Sequence, residues 1–165
     1  MGKENAQPHA THLSLPVLVQ IVLGAGMGTG YIPIAPATFA SLLAVPLVGI
    51  MPRPPLPYLL ITVAAFLLGV ALASSLEKRW GKDPRRVTID ELVGMLVSFF
   101  LVPFTVWSAI VGFLLFRFFD IIKLPFVRAV ERLPRGWGIM LDDVAAGVCT
   151  NVILQVVFRL VWGRQ

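Results

Sequence analysis

The sequence predicts an all-α fold: a multi-pass membrane helical bundle with broken or re-entrant helices. Three observations predict it. The mean hydropathy is +0.83, hydrophobic residues make up 57% of the chain and charged residues only 14%, and glycines and prolines interrupt the long apolar runs. Soluble domains have about a quarter charged residues, so this chain has too few charges to cover a surface in water. An ordinary soluble protein and a disordered chain are therefore excluded.

The positive charge indicates a membrane surface as the partner, and no nucleic acid. The net charge is +5 because acidic residues are few, and the basic residues lie between apolar runs, where they can meet lipid headgroups. The single cysteine, Cys149, excludes an internal disulfide framework. We expect residues 1–12 to form a flexible tail without a cleaved signal, and residues 13–165 to form one membrane-embedded domain.

The first apolar stretch is interrupted by glycines and prolines. We expect a helix over residues 13–23, an irregular loop over 24–37 and a second helix over 38–51. Non-helical backbone at membrane depth is tolerated only where protein or water satisfies its hydrogen bonds. The loop is therefore a candidate site, with a flexible connector as the alternative.

Residues 56–76 are the clearest membrane-crossing segment. The run is uncharged and, at about 1.5 Å per residue, it spans roughly 30 Å, the thickness of a bilayer core. The loop that follows, over residues 78–86, is basic and is expected to stay in the cytoplasm. A final apolar helix is expected over residues 144–158, with 139 and 162 as its outer limits.

The uncharged run over residues 92–116, which contains Pro103, allows two interpretations. One is a kinked single crossing. The other is a re-entrant hairpin, with one arm over residues 89–102 and the return arm over 104–119. Both flanking loops are basic, and basic loops stay on the cytoplasmic side. We therefore favour the hairpin, whose arms of about 20 Å would not cross the bilayer fully.

Five acidic residues lie at the ends of apolar segments: Asp90, Glu91, Asp120, Asp142 and Asp143. An ionised carboxylate near hydrocarbon is costly unless it is paired or binds a metal. The hairpin would gather all five at one membrane face, where they repel one another unless a cation is present. Oxygen ligands without a His or Cys cluster indicate Mg²⁺ or Mn²⁺. Neighbouring side chains on a helix point about 100° apart, so we expect one member of each acidic pair to bind metal.

A purely structural explanation exists for each acid taken alone. Asp120 could pair with Arg117, three residues before it on a helix. Asp90, Asp142 and Asp143 could cap helix N-termini. Because capping needs only one residue per helix, this explanation is weaker for the five acids together.

Basic and hydroxyl side chains would complete a phosphate site. Arg117 lies at the end of an apolar helix with Lys123 six residues on, and arginine offers a bidentate fork for phosphate. Thr38 and Ser41 are expected to open the second helix, where the glycine loop would add backbone N–H donors.

Four ordered segments resemble signatures of the phosphatidylglycerophosphatase A family. They are residues 28–41 (GTGYIPIAPATFAS), 90–95 (DELVGM), 116–123 (FRFFDIIK) and 136–147 (GWGIMLDDVAAG). The resemblance runs from about residue 24 to residue 147. The chain departs from the family pattern at Ala37 and Ala40, where the family has glycine, and after Lys123, where it keeps one shifted proline.

The resemblance implies a Mg²⁺-dependent enzyme of the bacterial inner membrane. Its substrate would be phosphatidylglycerophosphate, which loses its terminal phosphate at the cytoplasmic face to give phosphatidylglycerol. The positions that the resemblance implies as active are Asp90, Glu91, Arg117, Asp120, Lys123, Asp142 and Asp143, with Thr38 and Ser41 in support.

Direct hydrolysis by a metal-activated water is the expected route. A covalent aspartyl-phosphate is the alternative, ranked lower because the sequence has no Asp-x-Asp. A small cation-coupled transporter and a non-catalytic membrane scaffold are the other classes considered. A transporter predicts charges near mid-bilayer, whereas these acids lie at segment ends. The sequence gives no oligomeric state.

Overall fold

A computed structural model describes residues 15–81, 84–122 and 133–162. In these ranges all regular secondary structure is helical and no strand occurs, which confirms the all-α prediction. The α-helices are α1 (Leu15–Gly24), α2 (Pro36–Ile50), α3 (Pro55–Trp80), α4 (Ile89–Ser98), α5 (Val106–Ile122) and α6 (Gly136–Trp162). The expected tail over residues 1–12 and Lys123 lie outside the described residues.

The segment between α1 and α2 contains 3₁₀ turns over Gly26–Tyr31, but Met27 and Gly28 in the middle have positive φ. Its backbone is therefore irregular, as expected. The prediction that α2 begins at Thr38 is wrong: it begins at Pro36, since proline is favoured in the first turn of a helix. Ala37 and Ala40 are therefore helical, and alanine is the best helix former. This explains why neither position needs the glycine of the family pattern.

Two helices are long and apolar enough, by length and composition, to cross a membrane. They are α3 and the part of α6 from Gly136 to Leu160, with mean hydropathies of 2.4 and 1.5 over their most apolar windows. Only 33% of each window is buried inside the protein, so both helices present broad apolar faces outwards. Such faces are suited to lipid.

The two arms of the hairpin are α4 and α5, joined by non-helical residues that include Leu101 at φ 60°. Glu91 at the start of α4 forms an ion pair of 2.9 Å with Arg117 near the end of α5. A continuous helix would separate these residues by about 39 Å at 1.5 Å per residue, so the single kinked crossing is wrong. The Asn151 side chain of α6 donates hydrogen bonds to the carbonyls of Ser98 and Phe100 where α4 ends.

The short helix α4 lies in the centre of the bundle, packed against α2, α3 and α6. It approaches α6 closely because both helices have glycine there. A Cβ on Gly94 would lie 2.9 Å from the Asp143 carbonyl oxygen, and one on Gly147 would lie 2.5 Å from the Gly94 carbonyl oxygen. This close packing brings the acidic residues of α4 next to those of α6.

The start of α6 corrects one expectation. Because α6 begins at Gly136, Asp142 and Asp143 lie in its second turn and cannot act as N-terminal caps. Both are buried, with relative exposures of 8% and 3%. Their position within an apolar, buried helix therefore needs another explanation.

Candidate active site

The five predicted acids line one cavity of about 700 Å³. Asp90 and Glu91 come from the first turn of α4, Asp120 from the last turn of α5, and Asp142 and Asp143 from the second turn of α6. The hairpin makes this possible, because it returns the end of α5 to the level where α4 begins.

Three carboxylates come closest together. One oxygen each from Glu91, Asp120 and Asp143 can be chosen so that all lie within 4.8 Å of one another. Of each acidic pair, one member belongs to this set. The main-chain N–H of Glu91 donates to Asp90 Oδ1, and that of Asp143 donates to Asp142 Oδ1, so the two pairs have the same local geometry.

Arg117 connects two of these carboxylates. Its Nη1 donates to both oxygens of Glu91, at 3.0 and 2.9 Å, and lies 2.8 Å from Asp120 Oδ2. The expected pairing of Arg117 with Asp120 is therefore present, but it belongs to a larger network. Ser41 completes the network, because its buried hydroxyl donates to Glu91 Oε2 at 2.7 Å.

The cluster carries more negative charge than the protein around it neutralises. Burial raises the pKa of Glu91 to about 7 although Arg117 acts to lower it. Burial, followed by the charges of Glu91 and Asp142, raises the pKa of Asp90 well above its usual range. Asp143 Oδ2 is buried and has no hydrogen-bond partner among the residues that the structure describes. These oxygens fit a metal ion, which would supply the missing positive charge.

The glycine-rich segment forms another wall of the cavity, through residues 30–33 and 35–37. It is fixed to the chain just before α4. The Thr88 main-chain N–H donates to the Gly24 carbonyl at 2.9 Å, and the Thr29 and Thr88 hydroxyls are 2.9 Å apart. A Cβ on Gly30 would overlap the carbonyl oxygen of Arg86, so only glycine fits there. The loop therefore contributes to the site and is more than a connector.

Two of the remaining predicted site residues, Ser41 and Arg117, lie directly beside the carboxylates. Ser41 is fully buried, and Arg117 is 13% exposed at its side chain. Thr38 lies in the first turn of α2, where its main-chain N–H donates to the Ala35 carbonyl. In this structure Ser41 and Arg117 are thus bound to carboxylates. Lys123 belongs to the undescribed part of the chain.

The cavity is also lined by Tyr31, Arg85 and Arg86, which were not predicted as site residues from the sequence. Arg85 and Arg86 were interpreted only as part of a basic loop that sets the orientation in the membrane. Their closeness to Asp90 in the sequence was the one available signal. Tyr31 gave no signal beyond its place in the glycine-rich segment.

The chain is thus an all-α protein whose acidic side chains converge on a cavity and could bind a metal ion. The family model of phosphatidylglycerophosphatase A matches residues 22–158, and the chain belongs to this family. It is therefore a phosphatase, and the predicted resemblance is confirmed.

Three curated relatives align with most of the chain. A Bacteroides thetaiotaomicron protein named "Putative phosphatidylinositol-3-phosphatase" is 38% identical over 86% of this chain and 94% of its own length. The phosphatidylglycerophosphatase A of Escherichia coli K12 is 34% identical, over 81% of this chain and 80% of its own. That of Haemophilus influenzae Rd is 35% identical, over 81% and 85%. No solved structure matches the chain significantly.

Proposed function

We propose that this protein hydrolyses the terminal phosphomonoester of phosphatidylglycerophosphate to give phosphatidylglycerol, in a Mg²⁺-dependent reaction. The observation that carries the proposal is the convergence of five carboxylates on one cavity. Family membership supports the reaction, and the names of the Escherichia coli and Haemophilus influenzae relatives support the substrate.

Glu91, Asp120 and Asp143 are the proposed Mg²⁺ ligands, because their oxygens can approach one another within 4.8 Å. Carboxylate oxygens are the donors that Mg²⁺ prefers. When bound, the ion would polarise the phosphate and lower the pKa of an attacking water. The buried Oδ2 of Asp143, which has no hydrogen-bond partner within the described ranges, supports the need for such a cation.

Asp90 and Asp142 are the other members of the two acidic pairs. We propose that they surround the ion together with the three ligands. Asp90 is partly exposed and lines the cavity, so it can orient the attacking water and accept its proton at a carboxylate oxygen. We favour direct attack by water over an aspartyl-phosphate, since the sequence has no Asp-x-Asp.

Arg117 and Ser41 would act chiefly on Glu91. Their hydrogen bonds to its carboxylate hold it in its ionised form and in one orientation. The positive charge of Arg117 also offsets charge that develops on the phosphoryl group. Lys123 and Thr38 are proposed to contact the phosphate from the end of α5 and the start of α2.

We place the protein in the bacterial inner membrane as a multi-pass protein, with its active site facing the cytoplasm. The outward apolar faces of α3 and α6 support the membrane setting. The basic residues Lys78 and Arg79 in the last turn of α3 favour the cytoplasm for that end. Lipid tails would stay beside the helices while the headgroup enters the cavity.

The test is phosphate release from phosphatidylglycerophosphate by the purified protein, with and without EDTA. Asp120→Asn and Asp143→Asn should each abolish Mg²⁺-dependent release while leaving membrane insertion and thermal unfolding of the protein intact. Glu77→Gln is the matched control, since this acid lies on α3 outside the cavity. Asp120→Asn and Asp143→Asn variants with wild-type activity would overturn the assignment, as would a wild type unaffected by EDTA.

A second candidate substrate is phosphatidylinositol 3-phosphate, favoured by the name of the Bacteroides relative. Its phosphomonoester would use the same carboxylates. Comparison of kcat/KM for the two lipids in the same micelles decides between them. A transporter or scaffold, in contrast, predicts cation binding or simple charge pairing without any phosphate release.

A further inference from the structure

The cavity has a basic and aromatic part that the proposed hydrolysis does not use. The guanidinium carbon of Arg86 lies 5.3 Å from the ring centre of Tyr31 and 5.8 Å from that of Trp80. The two rings meet edge to face at 6.4 Å. Arg86 forms no ion pair with the described residues, so the rings hold a cation whose N–H groups remain available for a ligand.

The position of Arg86 is fixed by its backbone as well as by the rings. Gly30 packs directly over its carbonyl oxygen, and the Val87 main-chain N–H closes a turn onto the Pro84 carbonyl at 2.9 Å. Tyr31, which follows Gly30, is thereby placed against the Arg86 side chain. Arg85 lines the same cavity but makes no ring contact with the described residues. Of the two arginines, Arg86 is therefore the one whose side chain aromatic rings hold in place.

The chemistry of the substrate provides a partner for this cation. Both candidate lipids contain a phosphomonoester and a phosphodiester separated by a polyol. The phosphomonoester is the reacting group and belongs with the carboxylates and their metal. The phosphodiester carries its own negative charge, which the carboxylates repel and a planar guanidinium binds well.

We propose that Arg86 binds the phosphodiester of the lipid substrate and so selects lipids in which a polyol joins this group to the phosphomonoester. The inference rests on the proposed function and adds a specificity-determining residue to it. A phosphodiester could also come from a neighbouring phospholipid of the bilayer, which is the same chemistry from another source. The test must therefore separate the two sources.

Two water-soluble substrates make this separation. Deacylated phosphatidylglycerophosphate keeps the phosphodiester, and glycerol 3-phosphate lacks it while retaining a phosphomonoester on a primary carbon of glycerol. With the protein in neutral detergent, kcat/KM is measured for both substrates with the wild type, Arg86→Gln and Arg79→Gln. Arg79 is the matched control, since it is an exposed arginine in the last turn of α3, outside the cavity.

Arg86→Gln should lower kcat/KM for the phosphodiester substrate by roughly 10- to 100-fold, mainly through KM, which is the effect of losing one charge-assisted contact. Activity toward glycerol 3-phosphate should stay within about twofold, which also shows that the variant is folded. Arg79→Gln should match the wild type on both. Trp80→Leu should reduce the preference for the phosphodiester less than Arg86→Gln does.

Equal losses on both substrates would overturn the inference, because Arg86 would then have a structural role. No loss on either would overturn it too. A loss seen only with lipid substrate in vesicles of anionic phospholipid would assign Arg86 to the bilayer surface instead. In another outcome, the wild type releases phosphate from phosphatidylglycerophosphate and yet hydrolyses deacylated phosphatidylglycerophosphate no better than glycerol 3-phosphate. That result would refute this inference and leave the proposed function standing. A wild type inactive on every phosphomonoester would overturn the proposed function and this inference with it.

Discussion

Ser41→Ala tests how the carboxylate of Glu91 is held. The Ser41 hydroxyl donates to Glu91 Oε2 at 2.7 Å, and both residues are buried. A hydrogen bond to a charged group contributes about 1.5–3 kcal/mol. Because this bond favours the ionised carboxylate, its loss should raise the pKa of Glu91 above the value of about 7 to which burial has already raised it.

The size of the shift follows from the same free energy. One pKa unit corresponds to about 1.36 kcal/mol, so the loss of the bond amounts to about 1–2 units. If ionised Glu91 is needed for activity, the rising limb of the pH profile of kcat/KM should move to higher pH by that amount. Activity at pH 6 should fall roughly 10- to 100-fold, while activity at high pH should approach that of the wild type.

Ser98→Ala is the matched control. Ser98 is as buried as Ser41, and its hydroxyl donates to the Gly94 carbonyl at 2.8 Å. It contacts no carboxylate, so its replacement should cost about 1 kcal/mol or less and leave the pH profile unchanged. The reasoning is refuted if Ser41→Ala folds and keeps the wild-type pH profile, or if both variants shift it equally.

Three other predictions concern stability. In EDTA, the unfolding free energy should fall as the pH rises from 4.5 to about 7. Burial raises the pKa of Glu91 from 4.5 to about 7, so in this range the native state keeps a proton that the unfolded state has lost. A thermal unfolding temperature that does not change over this pH range would contradict the prediction. Saturating Mg²⁺ should oppose this fall by binding the native state alone. Gly94→Ala should cost about 1–3 kcal/mol in denaturant unfolding, since its Cβ would lie 2.9 Å from the α6 backbone; a change below about 0.5 kcal/mol would show that the helices separate freely. Asn151→Leu should cost about 2–3 kcal/mol, because two carbonyls at the end of α4 lose their donor and Gln155 loses its acceptor. Gln155→Leu removes only its own bond to Asn151 Oδ1 and should cost less than half as much.

The hairpin could be predicted from the sequence because it depends on charge. Basic loops on both sides of the uncharged run required its ends to lie on one side, and the ion pair between Glu91 and Arg117 agrees with this. Long apolar runs likewise predicted α3, which differs from expectation only at its ends. Hydropathy and charge are properties of the local sequence, so they need no knowledge of the packing.

The start of α6 and the basic wall of the cavity could not be predicted in the same way. Hydropathy put the start of α6 at residue 144, or at 139 at the earliest, because Asp142 and Asp143 interrupt the apolar run. In the fold these two acids line a polar cavity, and the helix begins at Gly136. The contacts of Arg86 with Tyr31 and Trp80 join two distant parts of the chain, since Tyr31 lies about 50 residues before the other two. No local pattern encodes such a contact.

The short length of α4 explains why the site can exist in an apolar bundle. A helix that crosses a bilayer needs about 20 residues and places its two ends in different aqueous phases. Because α4 has 10 residues and α5 has 17, the chain can turn back and bring Glu91 and Asp120 to the same level. The longer helix α6 then supplies Asp143 by close packing at Gly94 and Gly147. One helical turn inserted after Ser98 would therefore disturb the end of the hairpin and leave Asp90 and Glu91 in place. One turn inserted between Glu91 and Gly94 would instead move Glu91 about 5.4 Å away from Asp143 and should abolish phosphate release.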